Sequence, residues 1–323
     1  MERKLATIET IQEIQPIPNA DNIVKARVRN WWVVVGKDQF SPGDRCIYFE
    51  IDSLLPTSNP RFDGLDKYNS IKECNGVTGY RIRTVKMRGQ ISQGLALPYS
   101  GDLEQGTDVT VELGVVKYDP YEDPKIRLQS DNGAEGLFPT FIPKTDEERV
   151  QNLSIDVIKD QVFNMSEKLD GTSFTAYKLW GDLHVCSRNL VLREDASSIY
   201  WKIANQYDLK NVVPEGLAIQ GEIVGEGIQG NPLKLKGQEL YVFYMYDITL
   251  SKYTWLDLPV LKKVPIRGPY VVTSIEDLID KSYGLKSMLN PNCQAEGIVY
   301  VNYDNGIKYS FKVINNKYLL KEK

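Results

Sequence analysis

Glu167-Lys168-Leu169-Asp170-Gly171-Thr172-Ser173 is the stretch on which the reading of the chain turns. Apolar strand material flanks it, Val162-Phe163 before and Phe174-Thr175-Ala176-Tyr177 after. Asp-Gly between two such runs is a strong turn signal, so the pattern predicts a hairpin with Lys168 at the tip of its first strand. An amine held there sits on a rigid edge instead of swinging from a solvated helix. Taken alone, the stretch is equally well a surface hairpin that happens to carry a lysine. The rest of the chain decides between the two.

Downstream, residues 183–187 return after the Trp180-Gly181-Asp182 turn, and apolar residues at 196, 199, 200, 203, 204 and 207 mark an amphipathic helix. Strands are expected at 217–224 and 240–248, a second capped helix from Thr273-x-x-Glu276, and closing strands at 297–301 and 307–313. A short basic helix containing Lys317, Lys321 and Lys323 follows. Upstream, Thr145-Asp146-Glu147-Glu148 has the form of a capping box and predicts a short helix. Residues 116–150, with Pro120, Pro124, Pro139 and Pro143, read as an irregular linker. Residues 1–115 hold short apolar runs separated by turn formers such as Pro18-Asn19-Ala20-Asp21 and Ser41-Pro42-Gly43-Asp44, which predicts a small all-β barrel. The fold class is therefore α+β: an all-β barrel at 1–115, a linker with a short helix at 116–150, and a domain of antiparallel sheets with flanking helices at 151–323.

Composition narrows the function. The 323 residues, 42% hydrophobic and 25% charged, are those of an ordinary globular protein of two domains. No run approaches the ~20 apolar residues of a membrane span, and Met1-Glu2-Arg3-Lys4-Leu5 lacks a signal-peptide core. Four cysteines (Cys46, Cys74, Cys186, Cys293) without CxxC spacing read as free thiols in a reducing, cytoplasmic setting. A single histidine, His184, argues against a zinc site or a histidine-based triad. With a net charge of -4, any nucleic-acid surface must be a local patch. Arg81-x-Arg83-x-x-Lys86-x-Arg88 offers one, with Arg81 and Arg83 on one face if the run is a strand. A solvated edge strand, guarded by its charge against edge pairing, fits the same residues. Arg149, just ahead of the second domain, is a further candidate for RNA contact.

Lys168 also heads an ordered series. Arg188 follows in Cys186-Ser187-Arg188-Asn189, Glu222 in Gln220-Gly221-Glu222-Ile223-Val224-Gly225, then Tyr246-Asp247, Glu296-Gly297 and Lys312. This order and spacing resemble the motifs of the covalent nucleotidyltransferases, the superfamily of ATP-dependent RNA ligases, DNA ligases and mRNA capping enzymes. Glu167-Lys168-x-Asp170-Gly171-Thr172 and Gly221-Glu222-x-x-Gly225-x-Gly227-Ile228-Gln229-Gly230-Asn231 resemble RNA ligases in particular. In the first domain, Ile14-x-Pro16-Ile17-Pro18-Asn19-Ala20-Asp21, Val33-Val34-Val35 and Met87-Arg88-Gly89-x-Ile91-Ser92-Gln93-Gly94-Leu95 resemble OB-fold domains of tRNA-binding proteins. An OB domain placed before the transferase module is similar to the fifth family of RNA ligases.

The resemblance implies a specific chemistry. Lys168 would attack the α-phosphate of ATP, form lysyl-AMP and release pyrophosphate, assisted by Mg²⁺ or Mn²⁺. AMP would then pass to an RNA 5′-phosphate, and a 3′-OH would expel it, sealing a nick in a duplex; a monomer is the expected state. Lys312 would contact the α-phosphate, and Asp170 and Glu296 would hold the metal, partly through water. Glu167, Ser173, Arg188, Glu222, Tyr246, Glu296 and Lys308 would surround the nucleotide, with Arg188 and Glu222 near the ribose and Tyr246 on adenine. Alternatives stay open: Asp170 shaping the turn, Arg188 paired with Glu222, Tyr246 as a plain core aromatic, and the glycines at 225, 227 and 230 as a simple turn instead of a phosphate cradle. Two positions depart from the pattern, Ser310 where the first lysine of a Lys-x-Lys pair is common, and Ser173 where asparagine is common.

The chemistry itself sets a condition. A lysine attacks only when neutral, and near an unperturbed pKa of ~10.4 about one in a thousand is neutral at pH 7.4. Burial and neighbouring cations, a metal or Lys312, are expected to lower that value. Rival readings are a capping-type guanylyltransferase, a DNA ligase and, from another class, an RNA-binding module with an inactive transferase domain.

Overall fold

Trp31–Gly36 shows the rule that builds most of this chain: Trp31, Val33 and Val35 are buried, and the residues between them are half-buried. The computed structural model describes residues 3–67, 69–118 and 133–320, and the chain divides into units Met1–Leu128 and Gln129–Lys323. The first unit holds β1 (Ala6–Pro16), β2 (Ile23–Val28), β3 (Trp31–Gly36), β4 (Arg45–Phe49), β5 (Ser53–Pro56), β6 (Ile71–Cys74), β7 (Val77–Arg81), β8 (Val85–Met87), β9 (Gln90–Ser92), β10 (Leu95–Pro98) and β11 (Val116–Lys117). One sheet runs β10-β4-β1-β2-β3, and a second β11-β5-β7-β6. Strand β1 pairs with β4 through its first half and with β2 through its second, with a bulge between Ile11 and Glu13. A bulge bends its strand, so the sheet curls into the half-barrel of an OB fold.

Residues 108–111 form a turn, with Asp108 making only an isolated bridge to Thr7 while Val109 and Leu113 point into the core. One expectation changes here. The basic run 81–88 is not one strand: Arg81 ends β7 and Val85 begins β8. Arg81 and Arg83 therefore do not share a strand face.

The second unit holds β12 (Ala134–Leu137), β13 (Glu148–Arg149), β14 (Val162–Lys168), β15 (Thr172–Leu179), β16 (Asp182–Cys186), β17 (Leu190–Leu192), β18 (Leu217–Gly225), β19 (Gln238–Asp247), β20 (Lys252–Thr254), β21 (Lys262–Lys263), β22 (Ile266–Val271), β23 (Gly297–Asp304) and β24 (Ile307–Ile314). Its helices are α1 (Ile199–Gln206), α2 (Leu209–Val212), α3 (Ile275–Ser282) and α4 (Asn316–Leu319). A long sheet runs β12-β17-β16-β15-β18-β19-β20, and a short one β13-β24-β23-β14-β22. Helices α1 and α2 cover one face of the long sheet, packing Ile203 and Leu209 against Phe174, Ile219 and Val242. Helix α3 covers the short sheet, with Ile275 and Leu278 against Phe163, Ile298 and Phe311. Its cap is Ser274, one residue later than the expected Thr273, and the Ser274 hydroxyl accepts from the Asp277 amide at 3.0 Å.

Lys168 does not sit on a hairpin. Strand β14 pairs with β22 and β23, whereas β15 pairs with β16 and β18. Leu169-Asp170-Gly171 carries the chain from the short sheet to the long one. The cause is Leu169, which is buried with Val224, Leu233, Val264 and Cys293 between the sheets instead of being free to turn.

The expected capping-box helix at 145–148 is also absent: Glu148–Arg149 pairs in parallel with β24, and a 3-10 turn spans Val150–Asn152. The acidic side chains that would cap it are bound elsewhere, as described below. Among the described residues no helix is long and apolar enough to cross a membrane. All four cysteines are buried free thiols. Of the expected C-terminal basic helix, Lys321 and Lys323 lie outside the described residues.

Candidate active site

The uncovered faces of the two sheets meet at the crossing that carries Lys168. Strand alternation aims Lys168 into this cleft and turns Glu167 the other way. Glu167 is buried, bonded to Arg267 at 3.0 Å and to the Met288 amide at 2.6 Å. Its side chain braces the strand from behind and does not reach the nucleotide side proposed from the sequence. Gly171 makes the crossing possible. A Cβ there would meet Val224 Cγ1 at 2.8 Å and Glu222 Cγ at 2.9 Å, with the Ile223 carbonyl oxygen closer still.

Lys168 Nζ donates to Glu296 Oε2 at 2.6 Å. Register explains the pairing, because Lys168 lies opposite Gly297, the residue after Glu296. Glu222 comes from the facing sheet, opposite Ser173. Burial alone would lower the Lys168 pKa, but Glu296, Glu222 and Asp170 outweigh it and raise the value. The expected depression is therefore not a property of the protein groups alone, whose nearest charges are carboxylates. Burial pushes Glu222 up to about 8, with Lys168 opposing and Glu296 and Asp170 reinforcing the shift. Burial raises Glu296 as well, against the pull of Lys168.

Three carboxyl groups thus crowd one ammonium, a surplus of hard oxygen donors that fits a divalent cation retaining water ligands. Among the described residues, no group of three or more His, Cys, Asp or Glu side chains is drawn close enough to enclose a metal unaided. Asp170 Oδ2 accepts a hydrogen bond from the Tyr318 hydroxyl on α4. Sequence reasoning missed Tyr318; the only signal was its place in the basic C-terminal segment.

Lys312 lies on the same short sheet, opposite Val299 on one side and Arg149 on the other. Strand parity puts Arg149, Lys312 and Lys168 on the cleft face. Arg149 is only 8% exposed. The RNA role expected of it gives way to a place beside Lys312, since a buried guanidinium cannot grip a duplex surface.

A strap from Phe138 to Arg149 forms one wall of the cleft. The Phe138 amide bonds the Asn189 carbonyl at 2.8 Å, and Gln220 Nε2 donates to the Pro143 carbonyl at 2.8 Å. Lys144 Nζ reaches Asn189 Oδ1 at 2.9 Å. Arg188 holds both oxygens of Asp146 at 2.8 and 2.9 Å, so it pairs with the strap and not with Glu222. A small cavity lined by Phe138, Lys144, Thr145, Asp146, Ser173, Thr175 and Arg188 brings together two of the expected nucleotide contacts, Ser173 and Arg188. Pro139 and Pro143, read as part of an irregular linker, lie in a segment bonded to the long sheet of the second unit, and Pro120 and Pro124 lie outside the described residues.

Tyr246 is buried among Ile142, Tyr177, Cys186 and Ala218, edge-on to Tyr253 with ring centroids 5.2 Å apart. Lys308 bonds Glu147 at 2.7 Å and lies 4.0 Å from the Tyr244 ring centre. Its charge is directed at Glu147. The glycine-rich loop after β18 is a packing element: it inserts Leu233 into the cluster that holds Leu169 and Val224.

In the first unit, Arg81 pairs with Asp52 at 3.1 Å and stacks on Tyr118 at 4.5 Å. These partners spend the guanidinium inside the unit, against its expected RNA role. Arg83 is exposed, and so is Arg88 at the β8–β9 turn. Sequence reasoning missed Lys25 and Arg27, which lie 4.4 and 6.0 Å from the Trp32 ring centre. Their period-two spacing on β2, opposite Trp32 on β3, was the available signal.

Comparison with known proteins agrees with this geometry. A family model for an OB-fold domain matches residues 5–99, and one for RNA ligase matches residues 161–314. Among curated proteins none matches. Among solved structures, an apo lysine-to-alanine variant of Naegleria gruberi RNA ligase shares 38% identity over 99% of both chains, with a TM-score of 0.89. Another lysine-to-alanine variant of that ligase, with ATP and Mn, gives 39% identity over 99% of both chains and a TM-score of 0.89. The same ligase with PPi gives 39%, 99% of both chains and 0.85. With that identity across its whole length, and with the lysine, carboxylates and OB unit in place, the chain belongs to the RNA ligase family.

Proposed function

We propose that the protein is an ATP-dependent RNA ligase that joins a 3′-OH to a 5′-phosphate, acting on nicks in duplex RNA. The observation that carries this reading is Lys168 at the crossing of the two sheets, ringed by Glu296, Glu222 and Asp170 and flanked on its own sheet by Lys312 and Arg149. The amine attacks the α-phosphorus of ATP, forming a P–N bond as the bond to pyrophosphate breaks. Glu296, already bonded to the ammonium, is placed to take its proton. AMP then moves to the RNA 5′-phosphate, and the 3′-oxygen displaces it.

Asp170 and Glu296 would hold a divalent metal, Mg²⁺ or Mn²⁺, partly through water; it would supply charge neutralisation for the phosphates and relieve the carboxylate field around Lys168. Lys312 and Arg149 bind phosphate oxygens, and the cavity at Ser173 and Arg188 takes the sugar side of the nucleotide. Preorganised charge of this kind is the main lever available for phosphoryl transfer. Incubation with α-labelled ATP and Mn²⁺ gives a labelled protein; label from GTP alone would overturn the reading. Nicked duplexes ending in ribose or deoxyribose at the 3′-OH then distinguish RNA sealing from DNA sealing.

RNA contact by the OB unit is assigned to Arg83, Arg88 and the Lys25–Trp32–Arg27 group, since strands 2 and 3 form the usual oligonucleotide face of this fold. Arg83→Ala with Arg88→Ala lowers the salt slope of RNA binding by roughly 1 per arginine removed. Arg81→Ala instead leaves the slope unchanged and destabilises the OB unit by about 1–3 kcal/mol through its lost ion pair and ring contact. Salt-titrated binding and thermal melts separate the two results.

A further inference from the structure

Ser310 stands where a first lysine of Lys-x-Lys is common, and its surroundings explain how the chain manages without one. Glu147, on the strap, is 8% exposed at its side chain and faces Lys308, itself 10% exposed, at 2.7 Å. The Tyr244 hydroxyl donates to Glu147 Oε1 at 2.7 Å, and the Ser310 hydroxyl donates to Oε2. Lys308 is further enclosed by the rings of Tyr244 and Tyr253, 4.0 and 5.2 Å from its ammonium. Burial and the Glu147 charge drive the Tyr244 pKa well above its ordinary value, which keeps the hydroxyl a donor. One carboxylate is thus tied to both sheets, by Tyr244 on the long one and by Lys308 and Ser310 on the short one.

An ion pair buried this far is costly to assemble, and cutting one partner strands the other. Such an expense is better explained by geometry than by stability. Two residues along the strap, Arg149 enters the parallel bridge with β24, opposite Lys312. Residues 147 and 149 share a face of the strap, as 308, 310 and 312 share a face of β24. Whatever fixes Glu147 therefore also fixes where Arg149 stands.

We propose that Glu147 is a positioning residue: gripped by Lys308, Ser310 and Tyr244, it locks the strap so that Arg149 supplies the second phosphate-binding cation that residue 310 does not. Ser310 is then the residue the site requires, because a serine hydroxyl satisfies the remaining Glu147 oxygen without adding a second ammonium beside Lys308. The proposal rests on the ligase reading and concerns its first step, in which the triphosphate must be held for attack by Lys168. Sealing of RNA already carrying a 5′-adenylate involves no triphosphate and is insensitive to the lock.

The test uses the full chain with Glu147→Gln, Tyr244→Phe and Ser310→Ala, the last two removing one hydrogen bond each. Wild-type protein must first take up label from ATP; if it does not, the ligase reading fails and not the lock. Glu147→Gln is expected to lower the rate of lysyl-AMP formation at least tenfold and to raise the KM for ATP, while sealing of pre-adenylated nicked RNA stays within threefold of wild type. Tyr244→Phe and Ser310→Ala show the same split at smaller size. Adding Lys308→Met to Glu147→Gln produces less than the product of the two single losses, as expected of one unit. Equal loss of both steps in every variant, in parallel with melting temperature, would reduce the knot to structural support and overturn the proposal. Unchanged adenylylation in all of them would do the same.

Discussion

Lys168→Ala is expected to take up no label from ATP, a loss of roughly 10⁴-fold or more, the scale seen when a covalent nucleophile is removed. The fold should survive the change. Lys168 is partly exposed, its side chain 27% accessible, and removing the ammonium eases the local field on only one side. Losing that ammonium removes the nearest counter-charge to Glu296, with Lys312 still acting on it, so the variant is expected to bind a divalent metal no more weakly than wild type. Autoradiography of the protein after incubation with labelled ATP reads the first expectation. A second activity distinguishes a missing nucleophile from a damaged site: sealing of pre-adenylated RNA needs the phosphate contacts but not the P–N bond. A Lys168→Ala protein that still became labelled would remove the nucleophile assignment altogether.

Gly171→Ala carries the second large effect, and it is one that no charge argument anticipates. The added methyl has nowhere to go, with Val224 Cγ1 at 2.8 Å, Glu222 Cγ at 2.9 Å and the Ile223 carbonyl nearer still. Backbone does not yield as a flexible side chain does. The crossing must shift, and both Lys168 and Glu222 shift with it. Overpacking of this kind costs about 1–3 kcal/mol, and a displacement near ~1 Å at a reacting group costs about 10²-fold in rate. Lysyl-AMP formation is therefore expected to fall about 100-fold while the melt moves by only a few degrees. Gly171→Ala with wild-type adenylylation would show that the crossing tolerates the movement.

How much of this was legible in the sequence varies by distance along the chain. The candidate nucleophile and the carboxylates around it stood out because their order is linear: Lys168, Glu222, Glu296 and Lys312 occur in series. The OB unit was legible through alternation such as that of Trp31–Gly36. The crossing at Leu169–Gly171 was not, because Asp-Gly between two strands signals a turn whether the strands pair or part. Only the burial of Leu169 among Val224, Leu233 and Val264, residues far along the chain, decides it. The strap was hidden for the same reason. Its two prolines, Pro139 and Pro143, and its acidic run have the local marks of a linker, but Glu147 finds Lys308 across 161 residues. Arg81 was misjudged because Asp52 and Tyr118, its partners, stand well away from it in sequence. Local signals identify chemistry; the pairings that commit each side chain are set by tertiary register.

The crossing of the chain between two separately cored sheets makes the gap between Lys168 and Glu222 a property of two hydrophobic interiors at once. Leu278 and Phe311 back one sheet, Leu209 and Ile219 the other. A cavity opened in either interior, remote from any phosphate, tilts one half of the reaction centre against its counterpart. The enzyme's turnover is therefore a gauge of packing, and natural drift in either interior is constrained by catalysis as well as by folding.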